Sequence, residues 1–427
     1  MFFAAFATAV LGLLSLYSAG FFLYSAAVVL AALAFAAAFT SVNLQGVEVS
    51  RQISRETIEL GEAIDARLTL RNNKGWPAMW LKWREHIGDG LDREGTGDCM
   101  QSIHARGREV LPMTLHSKRR GLFRVGPALI ESTDPFGLSR RFLLDRDVRF
   151  VTVMPRRVEL GRGWPLGRRP VHETPRRWSL FEDPSRFIGT RPYRPGDGPR
   201  RIHWRATARS GEIHVKKFEP SVLDGLVLAV EMSEAAYRSE RPAWSREEEP
   251  PHELAVTTAA SMAEYVLAGD QGVGLISNGA DAAEGFAEDW TGGTFRRAEE
   301  AIHAIDRRIR PQATRPFEVL PQKGAWQHDR MMTALARLVP ASGVALSDLL
   351  EMELPRLPRS YVLMILTPTL DSALGNVIHG IRLAGIEVGI VLIGGVAEGA
   401  GEALPDGVPV YQVGDVSDIE ALGARRL

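Results

Sequence analysis

The residues best equipped for chemistry crowd into one segment, RPYRPGDGPRRIHWRATARSGEIHVKKFE, running from Arg191 to Glu219. Arg191, Arg194, Arg200, Arg201, Arg205 and Arg209 carry guanidinium groups that stay charged at any physiological pH. Each offers a planar fork of donors suited to carboxylate or phosphate. Tyr193 and Trp204 add stacking surface, Lys216 adds a further cation, and Asp197 is a nearby counter-charge. Such a set grips anions. Two uses are open to it: an ion-pair network that fixes a connector, or a surface that holds a partner. His203 and His214 lie outside zinc-helix spacing and have no acidic ligand pair beside them. No phosphate-cradling glycine loop ends in Lys-Ser or Lys-Thr, so ATP hydrolysis by this chain is not expected. No nucleophile elbow is present, although a Ser-His-Asp set could still assemble in space.

The elements that must position this segment follow from turn and period signals. Gly196-Asp197-Gly198-Pro199 reads as a turn and helix start, with the helix running to Arg209 and Gly211 ending it. Ile213–Phe218 reads as a strand. Residues 156–220 form an Arg-rich connector whose 155–190 stretch is rich in Pro, Gly and Arg and lacks periodicity. From Arg140 to Glu219 there are 20 Lys/Arg against 9 Asp/Glu, an excess of 11 in a chain of net charge -1. Downstream, over 221–427, buried-strand runs at Leu226–Val230, Gly272–Ser277, Tyr361–Leu366 and Glu387–Leu392 alternate with helical stretches. That alternation predicts a doubly wound, Rossmann-like α/β domain with ligands beyond the strand ends at Val230 and Leu366. Upstream, over 43–155, Ile58, Leu60, Ile64, Ala66, Leu68 and Leu70 alternate with polar positions. Asn72-Asn73-Lys74-Gly75 supplies a turn, and further strands are expected at Glu109–Leu115, Gly121–Gly126, Ala128–Glu131 and Arg149–Met154. Short strands with frequent turns predict an immunoglobulin-like β-sandwich.

No charged residue precedes Glu48. One straight helix over that stretch would reach about 70 Å, twice the hydrocarbon thickness, so the chain is expected to turn at Ser18-Ala19-Gly20. The expectation is two transmembrane helices within 1–42, Phe2–Tyr17 and Phe21–Thr40, retained because a positive n-region is missing and a second apolar run follows. Arg51 and Arg55 follow the hairpin while its turn has no basic residue, which points to the cytoplasmic membrane with a cytoplasmic body. Cys99 is the only cysteine, so no intrachain disulfide forms.

The motif resembles a bacterial family, domain of unknown function number fifty-eight. The matching positions are Arg191, Tyr193, Gly196, Asp197, Arg200, Ile202, His203, Trp204, Ala208, Arg209, Gly211, Lys216 and Glu219. Others are Arg120-Gly121-Leu122-Phe123, Gly126-Pro127, Asp134-Pro135-Phe136-Gly137-Leu138 and Val151–Pro155. The resemblance implies a membrane protein with a von Willebrand factor A-like C-terminal domain, found beside MoxR-type AAA+ ATPases and transglutaminase-like membrane proteins. It implies an adaptor or assembly role working with such an ATPase; with no catalytic motif visible, an enzyme is not expected. Binding of anionic lipid or nucleic acid through the same arginines is the alternative, and an unrecognised hydrolase comes after it. Nucleic acid is the less expected of the two, since only Tyr193, Trp204 and Phe218 could stack bases. No cofactor is expected, Mg²⁺ being the one ion left open. The Asp-x-Ser-x-Ser magnesium motif usual in von Willebrand factor A domains is altered here to Glu231-Met232-Ser233-Glu234-Ala235, leaving Glu231, Ser233 and Thr367 as the candidate ligands.

Overall fold

The computed structural model describes residues 6–8, 10–12, 19–95, 100–161, 182–193, 202–220, 225–237, 250–286, 292–305, 315–394 and 408–422. Helix α1 (Ala19–Leu44) contains an uncharged window, Leu23–Leu44, of mean hydropathy 2.1. It is long and apolar enough to cross a membrane. Ala19 and Gly20 are helical, so they do not form the expected turn. Of the expected first helix, only 6–8 and 10–12 fall within the described residues, and both are helical.

Ten strands follow: β1 (Val47–Ile53), β2 (Thr57–Ile58), β3 (Ala63–Asn72), β4 (Ala78–Ile87), β5 (Leu91–Gly95), β6 (Met100–Ile103), β7 (Arg108–Ser117), β8 (Gly121–Thr133), β9 (Arg140–Leu144) and β10 (Arg149–Val153). One sheet has the order β1-β3-β7-β5; a second contains β9-β8-β10-β2, with β4 pairing both β8 and β6. Along β3, burial alternates strictly, and Ile64, Ala66, Leu68 and Leu70 meet Leu81, Trp83, Val125 and Ile130 in one apolar core. The expected strands at Gly121–Gly126 and Ala128–Glu131 are one continuous element, β8.

A buried ion network crosses this core. Arg51 Nε lies 2.5 Å from Glu85 Oε1 and its Nη2 lies 2.9 Å from Asp145 Oδ2, with all three side chains at most 3% exposed. Burial pushes both carboxyls up, and the guanidinium pulls them back. A Cβ at Gly126, where φ is +97, would come within 2.7 Å of the Arg51 guanidinium. Only glycine suits both constraints.

Strands β11 (Glu182–Pro192) and β12 (His214–Pro220) pair antiparallel and flank helix α2 (Trp204–Ser210). Residues 182–190 are therefore a strand, not the expected irregular connector. The C-terminal half begins with β13 (Gly225–Val230), α3 (Glu234–Tyr237), α4 (Pro251–Ala268), β14 (Gly272–Ser277), β15 (Ala280–Asp281), β16 (Gly293–Phe295) and α5 (Ala298–Ile305). It continues with β17 (Phe317–Gln322), α6 (Ala325–Arg337), β18 (Leu338–Val339), α7 (Leu346–Glu353), β19 (Tyr361–Thr367), α8 (Ser372–Leu383), β20 (Glu387–Ile393), β21 (Val410–Val413) and α9 (Val416–Glu420). Its main sheet has the order β17-β14-β13-β19-β20-β21, all parallel except β17. Alternate residues of β13 enter two separate apolar clusters, so both faces of the sheet are covered.

The halves interlock. Strand β16 pairs with β9 and so extends the second sheet of the N-terminal half. Arg120 Nη1 donates to the carbonyls of Leu335 and Leu338, at 2.7 and 2.8 Å, at the end of α6. Its Nε lies 2.7 Å from Glu253 Oε2 as an ion pair. Arg124 Nη2 donates to the Ile305 carbonyl at the end of α5. Cations here meet the negative ends of two helix dipoles.

Candidate functional site

Within the Arg-rich segment, Gly196, Asp197 and Arg200, together with Arg194 and Arg201, lie outside the described residues. The other motif positions are drawn together by the β11–β12 hairpin. Tyr193 N donates to the Ile213 carbonyl at 2.9 Å, His203 N donates to the His214 carbonyl at 2.8 Å, and His214 N donates to Thr207 Oγ1 at 3.1 Å. These bonds lay α2 across the hairpin. His203 caps α2, its Nδ1 accepting from Ala206 N at 3.0 Å, which assigns the ring proton to Nε2. Gly211, at φ +77, closes the other end and donates to the Thr207 carbonyl. The helix starts at Trp204, later than the turn at 196–199 suggested.

Helix α2 buries no residue at all. Trp204 is 70% exposed, Tyr193 42% and Ile213 49%. Arg205 and Arg209 are exposed and one helical turn apart, while Arg191 and Lys216 are half-buried in the hairpin. No described carboxylate pairs with Arg205, Arg209 or Lys216. Like charges at i and i+4 destabilise a helix by about 0.2–0.5 kcal/mol. The helix packs only through half-buried Ala206 and Thr207, and two repelling cations on its exposed side add nothing to its stability. The side chains instead make an outward surface of aromatic and guanidinium groups.

The second candidate lies at the carboxyl ends of β13, β14 and β19. Glu231 N donates to the Leu366 carbonyl at 2.9 Å, which brings Glu231 beside Thr367. Glu231 Oε1 accepts from Ser233 N at 2.9 Å and from Asn278 Nδ2 at 2.7 Å, and the Tyr237 hydroxyl donates to its carbonyl. Burial raises the Tyr237 phenol far above its ordinary value, so it stays a donor. Thr367 Oγ1 donates to the Thr369 carbonyl at 2.8 Å, and Ser233 Oγ accepts from Ala236 N. Glu231 Oε1 and both hydroxyls are thus engaged within the protein. Among the described residues no group of three or more His, Cys, Asp or Glu is placed to hold a metal. One carboxylate and two occupied hydroxyls do not fit an octahedral Mg²⁺ shell without rearrangement. Asn278 escaped the sequence reading. Its Oδ1 also accepts from Met232 N at 2.7 Å, and its Nδ2 also reaches the Val344 carbonyl. Its position directly after Ser277, at a strand end, was the available signal, masked by an Asn-Gly pair that reads as a turn.

Residues 189–422 match the model of the family described as "Protein of unknown function DUF58". The uncharacterized protein YeaD of Bacillus subtilis is 25% identical over 254 residues, covering 55% of this chain and 57% of YeaD. The chain thus spans about half the length of that curated relative. Among solved structures, a CARDB domain from Pyrococcus furiosus aligns with 14% identity over 26% of this chain and 97% of its own, at a TM-score of 0.19. The cupredoxin domain of amoB from Nitrosocaldus yellowstonii aligns with 11% identity over 30% and 96%, also at 0.19. Scores this low support no argument about fold or function.

Proposed function

Because the chain belongs to the DUF58 family of proteins of unknown function, we propose that it is a membrane-anchored adaptor or assembly factor rather than an enzyme. Its Arg-rich hairpin docks a protein partner. The observation that carries this reading is the pairing of Arg205 and Arg209 with exposed Trp204 on a helix that buries nothing. Aromatic and arginine side chains are the types that dominate binding energy at protein interfaces. The partner with matching chemistry presents carboxylates around an apolar recess. On the family resemblance this is a MoxR-type AAA+ ATPase, with a transglutaminase-like membrane protein in the same assembly.

Several observations support the architecture behind this role. Numbered within the C-terminal half, the sheet order is 3-2-1-4-5-6 with strand 3 antiparallel, in keeping with a von Willebrand factor A-like domain. Two packed antiparallel sheets are in keeping with an immunoglobulin-like sandwich. Helix α1 serves as one span of a two-helix anchor in the cytoplasmic membrane, with the body on the cytoplasmic side.

The test is co-purification from native membranes. Replacing Trp204, Arg205 and Arg209 together with alanine removes exposed groups only, so folding is retained. Recovery of the ATPase should fall by at least tenfold, which corresponds to about 1.4 kcal/mol. Unchanged recovery defeats the proposal. Salt-sensitive binding of the wild type to anionic vesicles, lost in the variant, would favour the lipid-binding alternative.

A further inference from the structure

We propose that the β8–β9 turn, Asp134–Ser139, dips into the membrane interface beside α1 and is a lipid-contacting loop. This rests on reading α1 as a membrane span. The turn presents Phe136, 68% exposed, and Leu138, 50% exposed, side by side. It does so from a rigid frame. Buried Asp134 accepts from Phe136 N at 2.8 Å through Oδ1 and from Ser139 N at 2.5 Å through Oδ2. Gly137, at φ +67, donates to the Asp134 carbonyl. A turn held this firmly cannot fold its apolar side chains inward, so their exposure is a fixed feature of the surface.

The loop's height is set by a contact to the helix. Ser139 Oγ lies 3.1 Å from Thr40 Oγ1, and Thr40 and Ala36 are buried against the body, at 0% and 1% exposure. The 26 residues of α1 reach about 39 Å, whereas a hydrocarbon core of about 30 Å takes about 20 of them. The remaining six, about 9 Å, include Thr40. With the span taken from Ala19, its twentieth residue is Ala38, and Thr40 with its Ser139 contact stands about 3 Å beyond the hydrocarbon, at headgroup level.

Other side chains around the same turns of α1 suit that level. Trp80, 36% exposed, packs its ring 5.9 Å from Phe39, and Trp76, in the preceding turn, is 53% exposed. Tryptophan favours the headgroup region. Lys74 sets its ammonium on the Val42 and Asn43 carbonyls at the helix end. Trp80 is fastened to the end of α1 through Phe39, and the turn that carries Phe136 and Leu138 is fastened to it through Ser139 and Thr40, so the occupant these exposed apolar groups fit is the bilayer.

The experiment uses the full chain in liposomes of neutral and anionic phospholipid, in a C99S background that removes the only native thiol. Nitroxide labels are attached at F136C, L138C, L30C on α1 and V110C on the outer sandwich face, all exposed positions. Collision with oxygen and with a water-soluble nickel chelate is then measured. Labels at 136 and 138 should lose access to nickel and gain access to oxygen, as at 30, while 110 stays aqueous. If 136 and 138 match 110 while 30 remains in lipid, the loop proposal falls and the span survives. If 30 is itself aqueous, the span reading falls and takes the loop with it.

Discussion

Replacing Arg120 with methionine should loosen the joint between the two halves of the body. The guanidinium is buried, donates to two carbonyls at the end of α6 and lies 2.7 Å from Glu253. Burial lowers its pKa and Glu253 opposes that shift, so the pair keeps the charge in place. Removing one partner of a buried pair costs about 3–5 kcal/mol. Glu253 keeps 24% of its side-chain exposure and can partly rehydrate, so the expectation is the low end, about 3 kcal/mol. E253Q should cost about as much, about 3 kcal/mol, because it leaves the buried guanidinium without its counter-charge although the carbonyl bonds remain. R120K should cost less than R120M, since its ammonium keeps the charge but cannot span both the carbonyls and the carboxylate. The assay is urea unfolding of the detergent-solubilised full chain followed by tryptophan fluorescence. A midpoint for R120M indistinguishable from wild type would refute the reasoning. So would an E253Q midpoint indistinguishable from wild type, which would mean that the counter-charge contributes nothing.

Three further outcomes are expected. Burial holds His252 below its ordinary value near 6.5, so the folded protein resists the proton that the unfolded chain accepts. Stability should therefore decline as pH falls below about 6.5 towards the lower folded value, and H252Q should flatten that decline in thermal melts across the window. Titrating Mg²⁺ into the protein should give a flat calorimetric trace, because Glu231 and Thr367 are already hydrogen-bonded to protein groups; a saturable heat lost in E231Q would contradict this. N43L should lower the melting temperature, leaving Ser132 Oγ and the Met79 backbone without the partners that tie α1 to the body. The cost should be about 1–3 kcal/mol, and no change in melting would count against a rigid anchor.

Where the physics is local and one-signed, the sequence was legible. Leu226–Val230 and Tyr361–Leu366 are uninterrupted apolar runs, and both are buried parallel strands. The alternation in Ala63–Asn72 likewise marks a strand with one wet face. Within the N-terminal sandwich, five of the ten strands were hidden: β1, β4, β5, β6 and β9. In β4, Glu85 takes an inward position where an apolar residue is expected, and it is buried only because Arg51 meets it from a distant strand. Strand β11 was obscured by Pro184, Gly189 and Pro192, and its pairing with β12 carries register shifts that no period-two pattern follows. At the candidate site, residue types announced the anion-gripping surface. Its geometry depended on cross-strand bonds such as His203 to His214, which sequence spacing cannot supply.

The central claim is that the Trp204-Arg205-Arg209 face is a contact surface for another protein. Its most direct measurement is photo-crosslinking in living cells, with benzoylphenylalanine replacing Trp204 and mass spectrometry identifying the adduct. A specific adduct with a MoxR-type ATPase is expected, and it disappears when Arg205 and Arg209 are also changed to alanine. Adducts confined to this chain's own residues or to lipid would contradict it.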